Sequence, residues 1–194
     1  MSKQAGTDHP IHELIASRWS PYGFSNRTVS KENLLSLFEA ARWAPSSYNE
    51  QPWSYIVATK DEPEEYEKLL SCLVEGNQSW ANAAPVLALD IGNNTPNAAA
   101  VHDLGLAAGN LLFEASARGL HVHQVIGIHP EKAREIYEIP EGVEAKTGLA
   151  IGYAADPSTL TDPFKERDQA PRQRKPLQAF VFSSKWGTTS SLVS

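Results

Sequence analysis

Leu34, Leu35, Phe38 and Ala41 recur at helical spacing behind Ser30, a residue suited to capping a helix, and Glu32, which suits the positive end of the helix dipole. Pro45 drives its predecessor out of the helical region, so this helix should end at Ala44. WSYIVAT, which follows, is composed of the β-branched and aromatic residues of a strand. A second helix is predicted from Asp61 and Pro63 to about Val74, with Tyr66, Leu69, Leu70 and Leu73 on one side. PVLALDI, from Pro85, reads as a buried strand. The longest helical pattern runs from about Pro96 to Arg118, with Gly119 as its stop. LHVHQVIGI is strand-like, Pro130 begins a short helix through Tyr137, and GLAIGYA is a further strand. From Asp156 onward the chain is rich in proline, serine and charge, with AFVFSS as a short apolar stretch.

Helices and strands alternate without internal repeats, which predicts a layered α/β or α+β domain. No linker divides the chain, so residues 1–194 form one domain with an N-terminal arm over 1–11 and a C-terminal arm over 156–194. The central helix sets Gly105 and Gly109 among Leu104, Ala107, Ala108, Leu111 and Leu112, so it is small or apolar on almost every side. Asp103, Glu114 and Arg118 exclude a lipid-spanning helix. It is either a core helix or one that gives part of its surface to a second subunit.

Composition narrows the class. The N-terminus carries no apolar run of signal-peptide or membrane-span length, and a single cysteine, Cys72, suits a reducing compartment. Both point to the cytoplasm and away from a membrane. The net charge of −6 argues against a general nucleic-acid binder. Residues 165–175, KERDQAPRQRK, hold five basic and two acidic side chains, so a basic knot of +3 sits in a chain otherwise at −9. Such a knot is either a solvated surface or a seat for an anion such as phosphate.

Several chemistries fail on their residues. Ser46, Ser47, His102 and Asp103 are present, but G-x-S-x-G is not, and neighbours on a helix such as His102 and Asp103 point in different directions. His121 and His123 share one face of a strand, yet no carboxylate stands beside them at ligand spacing, which favours a structural pair over a metal site. Neither G-x-G-x-x-G nor a phosphate loop occurs. A nucleotide or flavin would therefore have to be held by side chains. Arg18 and Ser20 in SRWSPYGF, with Arg172 and Arg174 in PRQRKPL, supply the charge-assisted donors for that.

AARWAPSSYNEQPWSYIVA, residues 40–58, crowds hydrogen-bonding side chains between prolines and tryptophans. With RWSPYGF before it, HDLGLAAGNLLFEASARGL and HQVIGIHPEKAREIYEIPEG after it, and then GLAIGY and RQRKPL, it resembles the FMN-dependent nitroreductase family from about residue 12 to about residue 182. APSSYNEQPW fits the family's Ala-Pro-Ser-x-x-Asn-x-Gln-Pro-Trp pattern throughout.

The resemblance implies an α+β fold, a three-layer α/β/α sandwich with a mainly antiparallel central sheet. The long helix would lie at the interface of a homodimer, and the C-terminal arm would wrap the partner subunit. It implies an FMN-dependent oxidoreductase that takes hydride from NAD(P)H and passes it, by a ping-pong mechanism, to a small-molecule acceptor such as a nitroaromatic or quinone. No side chain would act as catalyst. A flavin-storing or flavin-modifying relative on the same fold is the alternative.

By position, Arg18 and Arg174 would bind the FMN phosphate with help from Arg172, and Trp19 and Ser20 would lie along the phosphate and ribityl chain. Pro45 and Pro52 would set the course of the junction, Ser46, Ser47 and Asn49 would meet the flavin, and Gln51 and Trp53 would brace the loop. The backbone of Gln124, Val125, Ile126 and Gly127 would approach the ring, with an N–H of Ile126 or Gly127 reaching N5, and Asn77 is a further ring contact. Tyr22 stands where many relatives carry a cation near the flavin's pyrimidine edge. A phenol brings no charge to the reduced ring, so this flavin is expected to be harder to reduce.

Overall fold

The computed structural model describes residues 3–93 and 98–193. A short helix, α1 (Glu13–Ser17), precedes α2 (Lys31–Arg42) and β1 (Trp53–Thr59). Then come α3 (Pro63–Leu70), α4 (Glu75–Ala81), β2 (Val86–Asn93) and the long α5 (Ala98–Ala117). The chain continues through β3 (His121–Val125), α6 (Pro130–Tyr137), β4 (Val143–Gly152) and α7 (Phe164–Gln169). The first two residues of the expected central helix, 96 and 97, lie outside the described residues.

Local signals explain most boundaries. The Ser30 hydroxyl accepts the Asn33 N–H at 3.3 Å, which satisfies a donor that the first turn of α2 leaves free. Past α5, Gly119 takes φ +70°, a left-handed conformation that a side chain would resist, and Leu120 N–H returns to the Ala115 carbonyl at 2.8 Å. Pro63 and Pro130 each open a helix, where a missing N–H costs nothing.

The four strands form one antiparallel sheet in the order β1-β2-β4-β3. Alternating residues of β2 point to opposite faces. Leu87 and Leu89 join a core with α3, α4 and α6, whereas Val86 and Ala88 pack with Leu149 and Ile151 under α2 and α5. Two cores on one sheet make the α/β/α sandwich that the resemblance implied. Among the described residues no helix is long and apolar enough to cross a membrane.

The single helix expected from Asp61 to about Val74 is two helices. Residues 72–74 leave the helical path because the turn after β3 takes their backbone bonds. His129 N–H donates to the Cys72 carbonyl at 2.7 Å, Leu73 bridges Ile128, and Val74 N–H donates to the Gly127 carbonyl at 3.0 Å. A tertiary pairing has won over a local hydrophobic period, and α4 starts afresh from Val74. Gly127 is required there by space. A Cβ at this position would stand 2.5 Å from Asn77 Nδ2 and 2.9 Å from Val74 Cγ2.

Beneath α5 the sheet carries an energetic cost. Asp90 on β2 is 2% exposed and pairs in register with Tyr55 on β1 and Thr147 on β4. Asp90 Oδ1, the Tyr55 hydroxyl and Thr147 Oγ1 are buried without a hydrogen-bond partner among the described residues. Burial pushes the Asp90 carboxyl up to about 7, and the adjacent Thr147 hydroxyl only partly offsets this. The same burial, with the Asp90 charge beside it, raises the Tyr55 phenol.

Two stability measurements follow from this geometry. The folded pKa of Asp90 lies above its unfolded value, so folding favours the neutral acid; this contribution is complete below about pH 4 and lost as pH rises to about 7. Relative to Asp90→Asn, the parent should lose up to ~4 kcal/mol of unfolding free energy across that window. Parallel pH profiles in urea denaturation would contradict this. Gly127→Ala should cost about 1–3 kcal/mol, because the Asn77 and Val74 side chains must give way. An unshifted urea midpoint would show that they yield freely.

Candidate functional site

Chain segments some 150 residues apart assemble a cationic corner. Arg18, at the end of α1, is half-buried, and its Nη1 donates to Ser20 Oγ at 3.3 Å. Desolvation lowers its pKa first, and then the charges of Arg172 and Arg174, which stand close by. Arg172 is lowered in the same way, by burial and then by Arg174. Among the described residues no carboxylate lies within ion-pair distance of any of the three. The three arginines differ in freedom. Arg172 spends Nη1 on the carbonyls of Lys3 (3.1 Å) and Ala16 (2.5 Å), and so braces the corner. Arg174 is exposed and, among the described residues, bonds its neighbour's carbonyl, Gln173 O, at 2.7 Å.

The aromatic residues of this segment face their own chain. Trp19 is buried, edge-on to His121 at 5.5 Å, with Lys3 Nζ over its ring at 4.9 Å. Beside it opens a cleft of about 750 Å3 walled also by Tyr153 and Asp156; among the described residues, Trp19 is the expected binding residue on that wall. The Tyr22 ring packs among Trp80 (5.1 Å), His123 (4.8 Å) and Phe164 (5.4 Å). The Arg167 guanidinium lies 5.4 Å from its centre. Tyr22 brings no charge, but α7 sets a cation against it.

This cage ties the cationic corner to the turn after β3. Trp80 touches Tyr22 and donates from Nε1 to Asn77 Oδ1 at 3.4 Å, and Asn77 Nδ2 donates to the Gly127 carbonyl at 3.0 Å. Both ends of the Asn77 amide are thus committed, Oδ1 to Trp80 and Nδ2 to the turn. The side chain of Val125 goes into the core, whereas Gln124 is exposed and Ile126 is 84% exposed. His123, lowered mainly by burial, shares a hydrogen bond through Nδ1 with the Pro21 carbonyl at 2.8 Å, which fixes the start of the Tyr22 loop against β3. His121 is lowered by burial and by the Arg18 charge.

The proline–serine junction forms a third group. Tyr48, Asn49 and Gln51 all take positive φ, near 50°, 58° and 49°, a strained choice for residues with side chains. The conformation is held from several sides. Ser46 Oγ accepts Gln51 N–H at 3.1 Å, Gln51 Nε2 donates to the Asn49 carbonyl at 3.0 Å, and Asp103 Oδ2 on α5 accepts Ser47 N–H at 2.9 Å. Gln51 braces the loop as expected, and Pro52 is buried. Ser46 and Ser47 are half-buried, Pro45 and Asn49 are exposed, and Tyr48 projects at 95% exposure.

Sequence reasoning missed the residues that do the holding. From sequence Asp103 reads as a charge on the central helix and a failed partner for His102, yet it is 4% exposed and anchors the junction. Asp168 and Lys3 drew no notice, because one lay in a charge run and the other in an arm. A carboxylate in a basic stretch was the one available signal for Asp168.

With this geometry in view, comparison with known proteins is direct. The sequence profile of the nitroreductase family matches residues 15–153. A putative NADH dehydrogenase/NAD(P)H nitroreductase of Archaeoglobus fulgidus is 31% identical over 152 residues, 74% of this chain and 85% of the relative. An FMN reductase [NAD(P)H] of Bacillus subtilis is 28% identical over 158 residues, 70% of this chain and 62% of the relative. A solved oxidoreductase described as containing FMN superposes with a TM-score of 0.91 at 34% identity, over 97% of this chain and 99% of the other. Profile, relatives and fold agree, and the chain belongs to the nitroreductase family.

Proposed function

We propose that this protein is an FMN-dependent oxidoreductase that uses NAD(P)H, in ping-pong order, to reduce small electron-poor acceptors such as nitroaromatics or quinones. It would act as a homodimer in the cytoplasm. One observation carries the reading: Arg18 lies near Arg172 and Arg174, and among the described residues no carboxylate is within ion-pair distance of them. Like charges so crowded call for an anion, and the phosphate of a flavin nucleotide meets that need. The relatives named above as an FMN reductase and as an FMN-containing oxidoreductase point the same way.

The donor set fits the cofactor. Arg18, Ser20 and Arg174 offer N–H and O–H donors for a phosphate, and Arg172 adds charge while holding the corner together. The segment of exposed Gln124 and Ile126 and half-buried Gly127, the last held by Asn77, offers an edge for a planar ring. Bound FMN would supply the redox chemistry, accepting hydride at N5 and releasing it to the acceptor. The chain's own contribution is to bind, orient and exclude water.

The second subunit would complete the pocket. Val101 and Phe113 are exposed on α5, and Trp43 and Tyr48 stand out at 72% and 95% beside it. Isolated in one chain, so much apolar surface is costly, and pairing of two α5 faces would cover it. That pairing would bring Pro45, Ser46, Ser47 and Asn49 of one chain toward the ring site of the other. Residues 156–170 pack on their own domain through Phe164 and Asp168, whereas beyond them Phe180 and Trp186 are exposed and suited to wrapping a partner.

The purified protein should be yellow, bleach with NADH or NADPH under nitrogen, and regain colour with a nitroaromatic or quinone. Colour that never bleaches would leave a flavin-holding protein without turnover, and a colourless protein that refuses FMN would overturn the reading. Arg174→Ala should weaken FMN binding by about one to two decades, the worth of a charge-assisted contact of roughly 1.5–3 kcal/mol. A dissociation constant within about twofold of the parent would remove Arg174 from the site.

A further inference from the structure

The cationic corner raises a mechanical question. Guanidinium groups repel one another, and Arg18 belongs to a loop far in sequence from Arg172 and Arg174. Something must hold the two segments at a set spacing.

Asp168 is 3% exposed, one of three buried carboxylates among the described residues, with Asp90 and Asp103. Its Oδ1 and Oδ2 accept the Tyr22 N–H at 2.9 and 3.1 Å, and Oδ2 also accepts the Gly23 N–H at 3.2 Å. Lys3 reaches the same place from the N-terminal arm: its Nζ donates to the carbonyls of Asp168 at 2.7 Å and Arg167 at 3.2 Å. Arg172 closes the other side, donating to the Lys3 and Ala16 carbonyls, and Ala5 N–H also donates to Ala16 O at 2.9 Å. The loop from Ala16 to Gly23 is therefore gripped at both ends by the segment from Asp168 to Arg172. Arg18 and Ser20 lie between the two grips.

We infer that Asp168 is a positioning residue for anion binding: its carboxylate, clasping the Tyr22–Gly23 backbone with Lys3 locking the clasp from behind, sets Arg18 against Arg172 and Arg174. The inference rests on the flavin-phosphate reading above. Both carboxylate oxygens are occupied by backbone N–H groups, so Asp168 acts through the loop and does not touch the anion. Charge-assisted bonds to buried amides are strong, and their loss strands those amides without partners. The spacing of the arginines, rather than the fold of the sheet, is what the clasp governs.

The phosphate itself provides the discriminating probe, because riboflavin has the same ring and ribityl chain without it. Dissociation constants for FMN and riboflavin would be read from flavin fluorescence on the full-length parent, Asp168→Asn and Lys3→Met, with thermal melts alongside. Asp168→Asn should lower the preference for FMN over riboflavin tenfold or more while riboflavin binding stays within about twofold. Its FMN affinity should also depend less on salt, since fewer guanidinium groups engage the phosphate. Lys3→Met should shift the preference in the same direction by about threefold, and it decides the question alone if Asp168→Asn does not fold. Equal loss of both ligands, or an unchanged preference, overturns the positioning role. A parent with no preference for FMN over riboflavin overturns the phosphate reading itself, an outcome separate from failure of the clasp.

Discussion

Backbone hydrogen bonds from the two ends of the chain hold the loop that carries Arg18, which lies near Arg172 and Arg174. Lys3 near the start and Asp168 and Arg172 near the finish enclose the loop that carries Arg18. Each of these contacts is a hydrogen bond to backbone, so the loop is held by its peptide groups while Trp19 and Tyr22 pack inward and Arg18 stays only half-buried. The charges of Arg172 and Arg174 lower the Arg18 pKa, and an anion such as the proposed flavin phosphate would offset that repulsion.

The rest of the site follows the same logic of rigid backbone and free edges. Asn77 and Val74 bond the Gly127 carbonyl, and the absence of a side chain at Gly127 lets them come close. Asp103 on α5 and the Ser46 hydroxyl hold a junction in which three residues with side chains adopt left-handed backbone. Strain of this kind persists only where surroundings over-determine it. Here α5 and the junction's own side chains supply those surroundings, while the sheet carries a buried Asp90 in one of its central strands.

Much of the architecture was legible from local chemistry. Ser30, Pro63, Pro130 and Gly119 announce helix ends by capping, by a dispensable N–H and by left-handed backbone, and the structure honours each. WSYIVAT gave the β1 boundaries because its β-branched and aromatic run is bounded by proline and by the Asp61 turn. The helix expected through Val74 failed because periodicity cannot foresee that the turn at Gly127 will claim the backbone of residues 72–74. Within the site, the arginines and the junction stood out by residue type and order. The inward packing of Trp19 and Tyr22, and the commitment of Arg172 and Asn77 to bracing, did not.

The sequence by itself determined the family, the layered fold and the set of charged and polar groups on which the proposed phosphate site draws, since these depend on residue identity and short-range spacing. Only the tertiary structure decided which of those groups are free to meet a ligand and which are spent on holding others in place. That division depends on contacts such as Lys3 to Asp168 and Asp168 to Tyr22, which span most of the chain. Pairings at that separation leave no periodic trace along the chain, because they are selected by packing rather than by neighbouring residues.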